Sequence, residues 1–228
     1  MTKLYDIYHN SSFSRGFPWA QEILKGLELR QVCYRCSPSG RRIENPHGEV
    51  EILLDRRKGT NWPDMLGCGD WPLFIVSERV LDDWREDGIG EFPAYPVRIA
   101  EPLPPRLRDV SMPQYFWLDG KQMIGARLDF EASGFVSVTF CPECGVRSDD
   151  GSATYRRRRT GKWPLAIVEG SWNGTNLFTT DLSEASFFCT EKVLQCAKRR
   201  KHTNFLFEPA GIAVTPANAP QINASTRL

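Results

Sequence analysis

Four of the seven cysteines form two Cys-x-x-Cys pairs, Cys33/Cys36 and Cys141/Cys144. Four thiolates with this spacing can surround one Zn²⁺ tetrahedrally, at sulfur–zinc distances of about 2.3 Å. A disulfide framework explains an odd number of cysteines poorly, and a reducing cytosol does not favour one. A four-cysteine site leaves no coordination position open for a substrate, so we expect a structural zinc ion and no catalytic residues.

The second pair is the stronger knuckle motif. Its segment 141–145 reads Cys-Pro-Glu-Cys-Gly, in which Pro stiffens the turn and Gly permits a tight backbone, whereas segment 33–37 reads Cys-Tyr-Arg-Cys-Ser. The 104 residues between the pairs exceed the usual ribbon spacing, so the ion would staple distant parts of the chain. The alternatives are unrelated thiols or a redox pair, although neither pair opens a helix as a thioredoxin-type motif does.

Strands are expected to position both pairs. The β-forming segments 27–32 and 135–140 run directly into Cys33 and Cys141. A further short strand is predicted over 3–8, and a short helix over 17–24, with Pro near its first turn.

An internal echo is the clearest sign of how the chain is organised. Segment 74–81, Phe-Ile-Val-Ser-Glu-Arg-Val-Leu, resembles segment 187–194, Phe-Phe-Cys-Thr-Glu-Lys-Val-Leu, and the same offset of 113 aligns Pro96 with Pro209. Each copy predicts a strand, a helix and a strand, and each has a Ser or Thr at the expected helix N-cap. Chance recurrence of short apolar strings is the alternative explanation.

These patterns together predict an α+β fold of two degenerate strand–helix–strand halves joined by a zinc-ribbon-like four-cysteine site. The first half would span 1–101 and the second 114–211, with a Pro-rich linker over 102–113. Residues 212–228 hold few large apolar side chains and are expected to be a disordered tail. A single compact domain is the other possibility.

The composition argues against a membrane protein and against strong global electrostatics. The formal net charge is +1, and no stretch approaches the roughly 18 consecutive apolar residues of a spanning helix. Residues 1–7 contain no apolar signal region, so we expect a cytoplasmic protein with no membrane partner.

Local charge runs offer two possible partner surfaces. Basic runs at 156–159, flanked by Tyr and Trp, and at 198–202 suit phosphate contacts, although such runs more often lie on solvated surfaces. The acidic residues within 82–91 of the first helix suit a basic protein partner or form an ordinary exposed helix face. Cys68, which lies between two glycines, is a conceivable nucleophile, but a small buried thiol is the simpler interpretation.

The paired knuckles, with segment 187–194 and the nearby Thr-Asn-Phe-Leu-Phe-Glu-Pro of 203–209, resemble the double-CxxCG family expanded in myxobacteria. The resemblance extends over about 5–209. The sequence departs from the family pattern at Ser37, because the family has Gly after the second Cys. This difference concerns the backbone geometry of the first knuckle more than its ability to bind metal.

Members of this family are assigned as immunity proteins of contact-dependent toxin systems. The resemblance therefore implies a non-enzymatic protein that binds and neutralises a cognate protein toxin and carries a structural zinc. The alternative is a zinc-ribbon nucleic-acid-binding protein that uses the basic run at 156–159. The toxin, the contact surface and the oligomeric state are not specified by these motifs.

Overall fold

The computed structural model describes residues 2–9, 16–31, 42–55, 59–68, 73–130, 132–133, 138–143, 147–148, 166–181 and 183–213. Within these ranges the chain forms two α-helices, α1 (Glu78–Glu86) and α2 (Glu191–Arg200), and sixteen strands. The strands are β1 (Leu4–His9), β2 (Trp19–Gln31), β3 (Arg42–Leu54), β4 (Met65–Cys68), β5 (Phe74–Ser77), β6 (Ala94–Ile99), β7 (Tyr115–Leu118), β8 (Ile124–Ala126), β9 (Leu128–Asp129), β10 (Thr139–Phe140), β11 (Arg147–Ser148), β12 (Ala166–Val168), β13 (Leu177–Thr180), β14 (Ser183–Thr190), β15 (Phe205–Pro209) and β16 (Gly211–Ala213).

A closed six-stranded barrel, the first barrel, is the largest unit, with strand order β2-β3-β6-β7-β5-β4. Its interior is lined by alternate residues, as the two-residue period of a strand requires. On β3, Val50, Ile52 and Leu54 are fully buried, while Glu51 between them pairs with Lys25 of β2 on the outer surface. Tight hydrophobic packing inside a ring without free edges stabilises this unit.

Besides the barrel, the described residues form three sheets, of which the smallest is the two-stranded pair of β10 and β11. The second sheet has the order β15-β1-β14-β13-β8, and the third has the order β16-β12-β9. The second sheet is antiparallel except at its β13–β8 pair, which is parallel. The first strand of the chain therefore lies in the middle of a sheet that is otherwise built from residues after 120.

Both helices pack on one core that the first barrel and the second sheet share. Trp84 of α1 and Val193 of α2 are completely buried in it, together with Phe74 of β5 and Phe187 of β14. The rings of these two phenylalanines lie 4.3 Å apart between centroids. The aromatic surface buried between the first barrel and the second sheet therefore forms a continuous hydrophobic core.

The predicted α+β fold was wrong, because the described chain is mostly β and contains a closed barrel. Strand, helix and strand do follow one another in β5-α1-β6 and in β14-α2-β15, but their flanking strands are not neighbours. A third strand lies between them, β7 in one case and β1 in the other. Local patterns indicate elements and cannot specify such long-range pairings.

Two element predictions also need correction. Segment 17–24 was expected to form a short helix, yet β2 starts at Trp19, because its hydrophobic residues pair with β3 and fill the first barrel. The expected disordered tail began at residue 212, whereas β16 (Gly211–Ala213) pairs with β12. Residues 214–228 lie outside the described residues, and the division into 1–101, 102–113 and 114–211 stays a prediction.

Candidate metal centre and charge clusters

The second cysteine pair lies in the connection of an antiparallel hairpin. Strands β10 and β11 pair with Phe140 opposite Arg147, so the six residues 141–146 join them. Cys141 directly follows β10 and is half-buried, while Cys144 lies outside the described residues. A cysteine that directly follows a strand, with a second cysteine three positions later in the sequence, has the spacing that a zinc knuckle requires.

The first pair occupies the same kind of connection. Strands β2 and β3 pair out to Gln31 opposite Arg42, so residues 32–41 form the link between them. Cys33 and Cys36 fall within this link and outside the described residues. Both pairs therefore follow, in sequence, a strand that pairs with the next strand as a hairpin.

The four-cysteine zinc site stays a prediction, because three of its four ligands lie outside the described residues. The described part of the chain holds no group of three or more His, Cys, Asp or Glu side chains that could bind a metal ion. If zinc is bound, the residues to hold it are the four cysteines named above, as thiolates.

The other thiols lie in the hydrophobic interior. Cys68 on β4 is 1% exposed and packs in the core of the first barrel. The His9 ring lies against Gly67, and successive residues of a strand point to opposite faces, which separates His9 from the barrel interior that contains Cys68. Burial raises the pKa of the Cys189 thiol well above its usual range, which disfavours the thiolate.

The acidic and basic clusters predicted as separate partner surfaces lie against each other. Arg200 of α2 donates to Glu86 at 2.7 Å and to Asp87 at 3.2 Å, and Arg199 also bonds Asp87. His202, whose side chain has no exposed surface, contacts Asp83 with its Nε2 atom at 2.8 Å. The second basic run and the acidic face of α1 therefore neutralise each other in large part.

Asp87 and Cys196 form a further link between the helices. Hydrogen bonds from the Cys196 thiol and from Arg200 lower the pKa of Asp87 to about 2, so its carboxylate is charged at neutral pH. Burial, followed by the bond to Asp87, raises the pKa of Cys196 to about 12, so this thiol stays protonated. Cys196 therefore acts as a hydrogen-bond donor, which suits neither a metal ligand nor a nucleophile.

Asp64 is a polar centre that the sequence analysis missed. Its carboxylate accepts bonds from Arg79 at 2.6 and 3.0 Å and from Ser77 at 3.2 Å. It also accepts the backbone N–H and the hydroxyl of Thr203, which follows α2, at 2.8 and 3.0 Å. Burial raises the pKa of Asp64, but the bonds from Arg79 and Thr203 outweigh burial and hold that pKa below its ordinary value. No local motif marks Asp64, because its partners are distant in sequence.

The basic run at 156–159 lies outside the described residues. Among the described residues no helix is both long enough and apolar enough to cross a membrane. The sequence matches no protein-family model and no curated protein.

Proposed function

We propose that this chain is a cytoplasmic immunity protein that binds and neutralises a cognate contact-dependent toxin, and that one structural zinc ion stabilises it. The observation that carries the proposal is the Cys-Pro-Glu-Cys-Gly knuckle of 141–145, set in the β10–β11 hairpin. The first pair, Cys33/Cys36, in the connection of the β2–β3 hairpin supplies the other half of the donor set. The resemblance to the double-CxxCG proteins supports the immunity role.

The pairing of charges between the helices argues against nucleic-acid binding by the basic run 198–202. Arg199 and Arg200 are engaged by carboxylates of α1, so they are not free to neutralise phosphates without breaking those pairs. Binding a toxin by occlusion needs no catalytic group on this chain. Affinity would come from a few buried aromatic or Arg anchors, with local charge guiding the encounter.

Co-expression tests the proposal. The protein encoded immediately upstream of this chain's gene is produced in a bacterial host, with the chain and without it, and colony formation is measured. We expect that protein to arrest growth, the chain to restore growth, and the two purified proteins to co-elute. The Asp109→Asn variant, changed at an exposed residue, should protect as the parent does.

Two results would oppose the proposal. The first is arrest by the upstream protein that the folded, abundant chain does not relieve. The second is strongly salt-dependent binding of the chain to an oligonucleotide, which would favour the nucleic-acid alternative.

A further inference from the structure

The first barrel and the second sheet contain the same series of five strands. In the first barrel the series is β6-β7-β5-β4-β2, and in the second sheet it is β15-β1-β14-β13-β8. In both, the first three pairings are antiparallel and the last is parallel. The repeated unit is thus a sheet with one helix, which is larger than the strand–helix–strand echo in the sequence.

The agreement extends to the register of the strands. Met65 lies opposite Val76 in the first barrel, and Leu177 lies opposite Cys189 in the second sheet. Val76 and Cys189 are 113 positions apart, which is the offset of the sequence echo. A slip of one residue in the pairing of two strands would exchange their inward and outward faces. Because the registers match, equivalent residues point to the same face in both sheets.

The strand between the helix-flanking strands matches as well. Pro96 lies opposite Phe116 of β7, and Pro209, 113 positions later, lies opposite Tyr5 of β1. β1 therefore occupies in the second sheet the position that β7 occupies in the first barrel.

The third sheet completes the correspondence. In the first barrel β3 is antiparallel to β2 and parallel to β6, and in the third sheet β12 is antiparallel to β9 and parallel to β16. The backbone bridges the short breaks between the second and third sheets, because Ala210 donates to Leu4 and Val168 donates to Arg127, each at 2.9 Å. The second and third sheets together are the counterpart of the first barrel.

The order of the strands along the chain shows which half supplies each strand. The first series along the chain is β1, β2, β3, β4, β5, α1 and β6. The second series is β7, β8 with β9, β12, β13, β14, α2, and β15 with β16, and the two short strands β10 and β11 lie between β9 and β12. β1 begins the first half but lies in the sheet of the second half. β7 begins the second half but lies in the barrel of the first.

We propose that the chain is a fused, strand-exchanged pair of equivalent halves, in which each half completes its sheet with the first strand of the other. The partner that each half fits is thus a second copy of the same unit, bound by addition of a strand. Neither half has a complete sheet alone, because loss of the exchanged strand would leave unpaired edges on both of its neighbours.

Contacts between the halves are reciprocal, as a two-fold arrangement requires. Arg79 at the start of α1 donates to the carbonyl oxygen of Arg200 at the end of α2, at 3.3 Å. Lys192, its counterpart on α2, donates to the carbonyl oxygen of Gly88 just past α1, at 2.7 Å. Phe74 and Phe187, also 113 positions apart, meet ring to ring, which places them near the pseudo-two-fold axis.

Cleavage between the halves, combined with cross-linking, tests the exchange. A protease site is inserted between the exposed residues Ser111 and Met112, and the full chain is purified and cut. Tyr8→Cys is combined with Leu206→Cys, because these residues lie opposite each other on β1 and β15. Directly opposed residues are about 4.5–5.5 Å apart at Cα, which a disulfide can bridge.

We expect the two fragments to co-elute under native conditions. After mild oxidation they should run as one full-length band on a non-reducing denaturing gel. The matched control combines Tyr8→Cys with Pro93→Cys. Position 93 lies 113 residues before Leu206, so it is the position that residue 8 would face if β1 lay in the barrel of its own half. The cut parent with its native cysteines should give separate fragments. The control variant should do so too, and because residues 8 and 93 lie in the same fragment, peptide mass spectrometry is used to show that no disulfide joins them.

Three results would overturn the proposal. One is separation of the cut fragments under native conditions. Another is a cross-link formed by the Pro93→Cys variant and absent from the Leu206→Cys variant. The last is a fragment that refolds alone from urea as a stable monomer, because a half that needs a borrowed strand should remain unfolded or pair with a second copy.

Discussion

Asp64 illustrates how a single buried carboxylate connects distant parts of this chain. It is 7% exposed, and its hydrogen-bond partners are Arg79 and Ser77 from the first half of the sequence and Thr203 from the second. Replacing one carboxylate oxygen by an amide NH₂ would remove the charge and one acceptor, so either the Thr203 amide or the Arg79 guanidinium would lose its bond. Buried donors without an acceptor are costly, so this residue should matter for stability although no motif indicates it.

The Asp64→Asn variant should lower the free energy of unfolding by about 2 kcal/mol at neutral pH, a moderate value because Arg79 is half exposed to solvent. The pKa of Asp64 is lower in the folded protein than in the unfolded chain. Its stabilising contribution is therefore complete above the ordinary aspartate pKa and is lost as the pH falls through the folded pKa. Urea unfolding of parent and variant across pH 7 to about 2 measures this difference.

Asp109→Asn, at an exposed position, is the control and should stay within about 0.5 kcal/mol of the parent. A difference between parent and Asp64→Asn that is unchanged at acidic pH would contradict the role assigned to the Asp64 carboxylate.

The helices α1 and α2 were the elements best predicted from the sequence. Ser77 and Thr190 precede them as expected, and Val80, Trp84, Val193 and Cys196 fall on their buried faces. The strands β2 and β3 were harder to predict, since register shifts interrupt their alternation at several places. Gly26, with φ of +88°, lies within the irregular part of β2, where an added Cβ would meet the backbone of residues 49 and 50.

The charges between the two helices should make the protein's stability depend on salt. In Arg200→Met the helix keeps its length and apolar contacts but loses its bonds to Glu86 and Asp87. We expect this variant to melt at a lower temperature than the parent. Raising NaCl from about 0.05 to 0.5 M should lower the melting temperature of the parent more than that of the variant, because salt screens the ion pairs that only the parent retains.

Lys198→Met removes the same charge from the exposed surface of the same helix and should leave both quantities close to the parent's. Equal melting temperatures and equal salt responses in all three proteins would show that the network between α1 and α2 contributes nothing to stability.

The whole molecule was predictable only in part. The echo between 74–81 and 187–194 falls at equivalent positions of two sheets, which local patterns could suggest. The placement of β1 beside β14 depends on pairing across more than 170 residues, such as Leu4 opposite Thr190. Local propensity carries no information about that choice of partner, which is made by the fit of whole sheets and their shared core.

The candidate site was predictable to a different extent. The cysteine spacing predicts the ligands, and the hairpin ends at Gln31 and Phe140 agree with their expected positions after strands. The pairing of the basic run 198–202 with the acidic face of α1 was not predictable, because each run alone reads as a solvated surface. The folded protein therefore offers a partner less free charge in these two runs than the sequence suggests.

Elemental analysis of the purified protein tests the zinc claim most directly, with melting temperature followed in parallel. Variants are Cys33→Ser/Cys36→Ser and Cys141→Ser/Cys144→Ser, with Cys196→Ala as a matched thiol control. One zinc ion per chain in the parent and in the control, lost in both double variants together with a lower melting temperature, is the predicted result. A folded parent without zinc, or a double variant that keeps a full equivalent, would contradict the shared four-cysteine site.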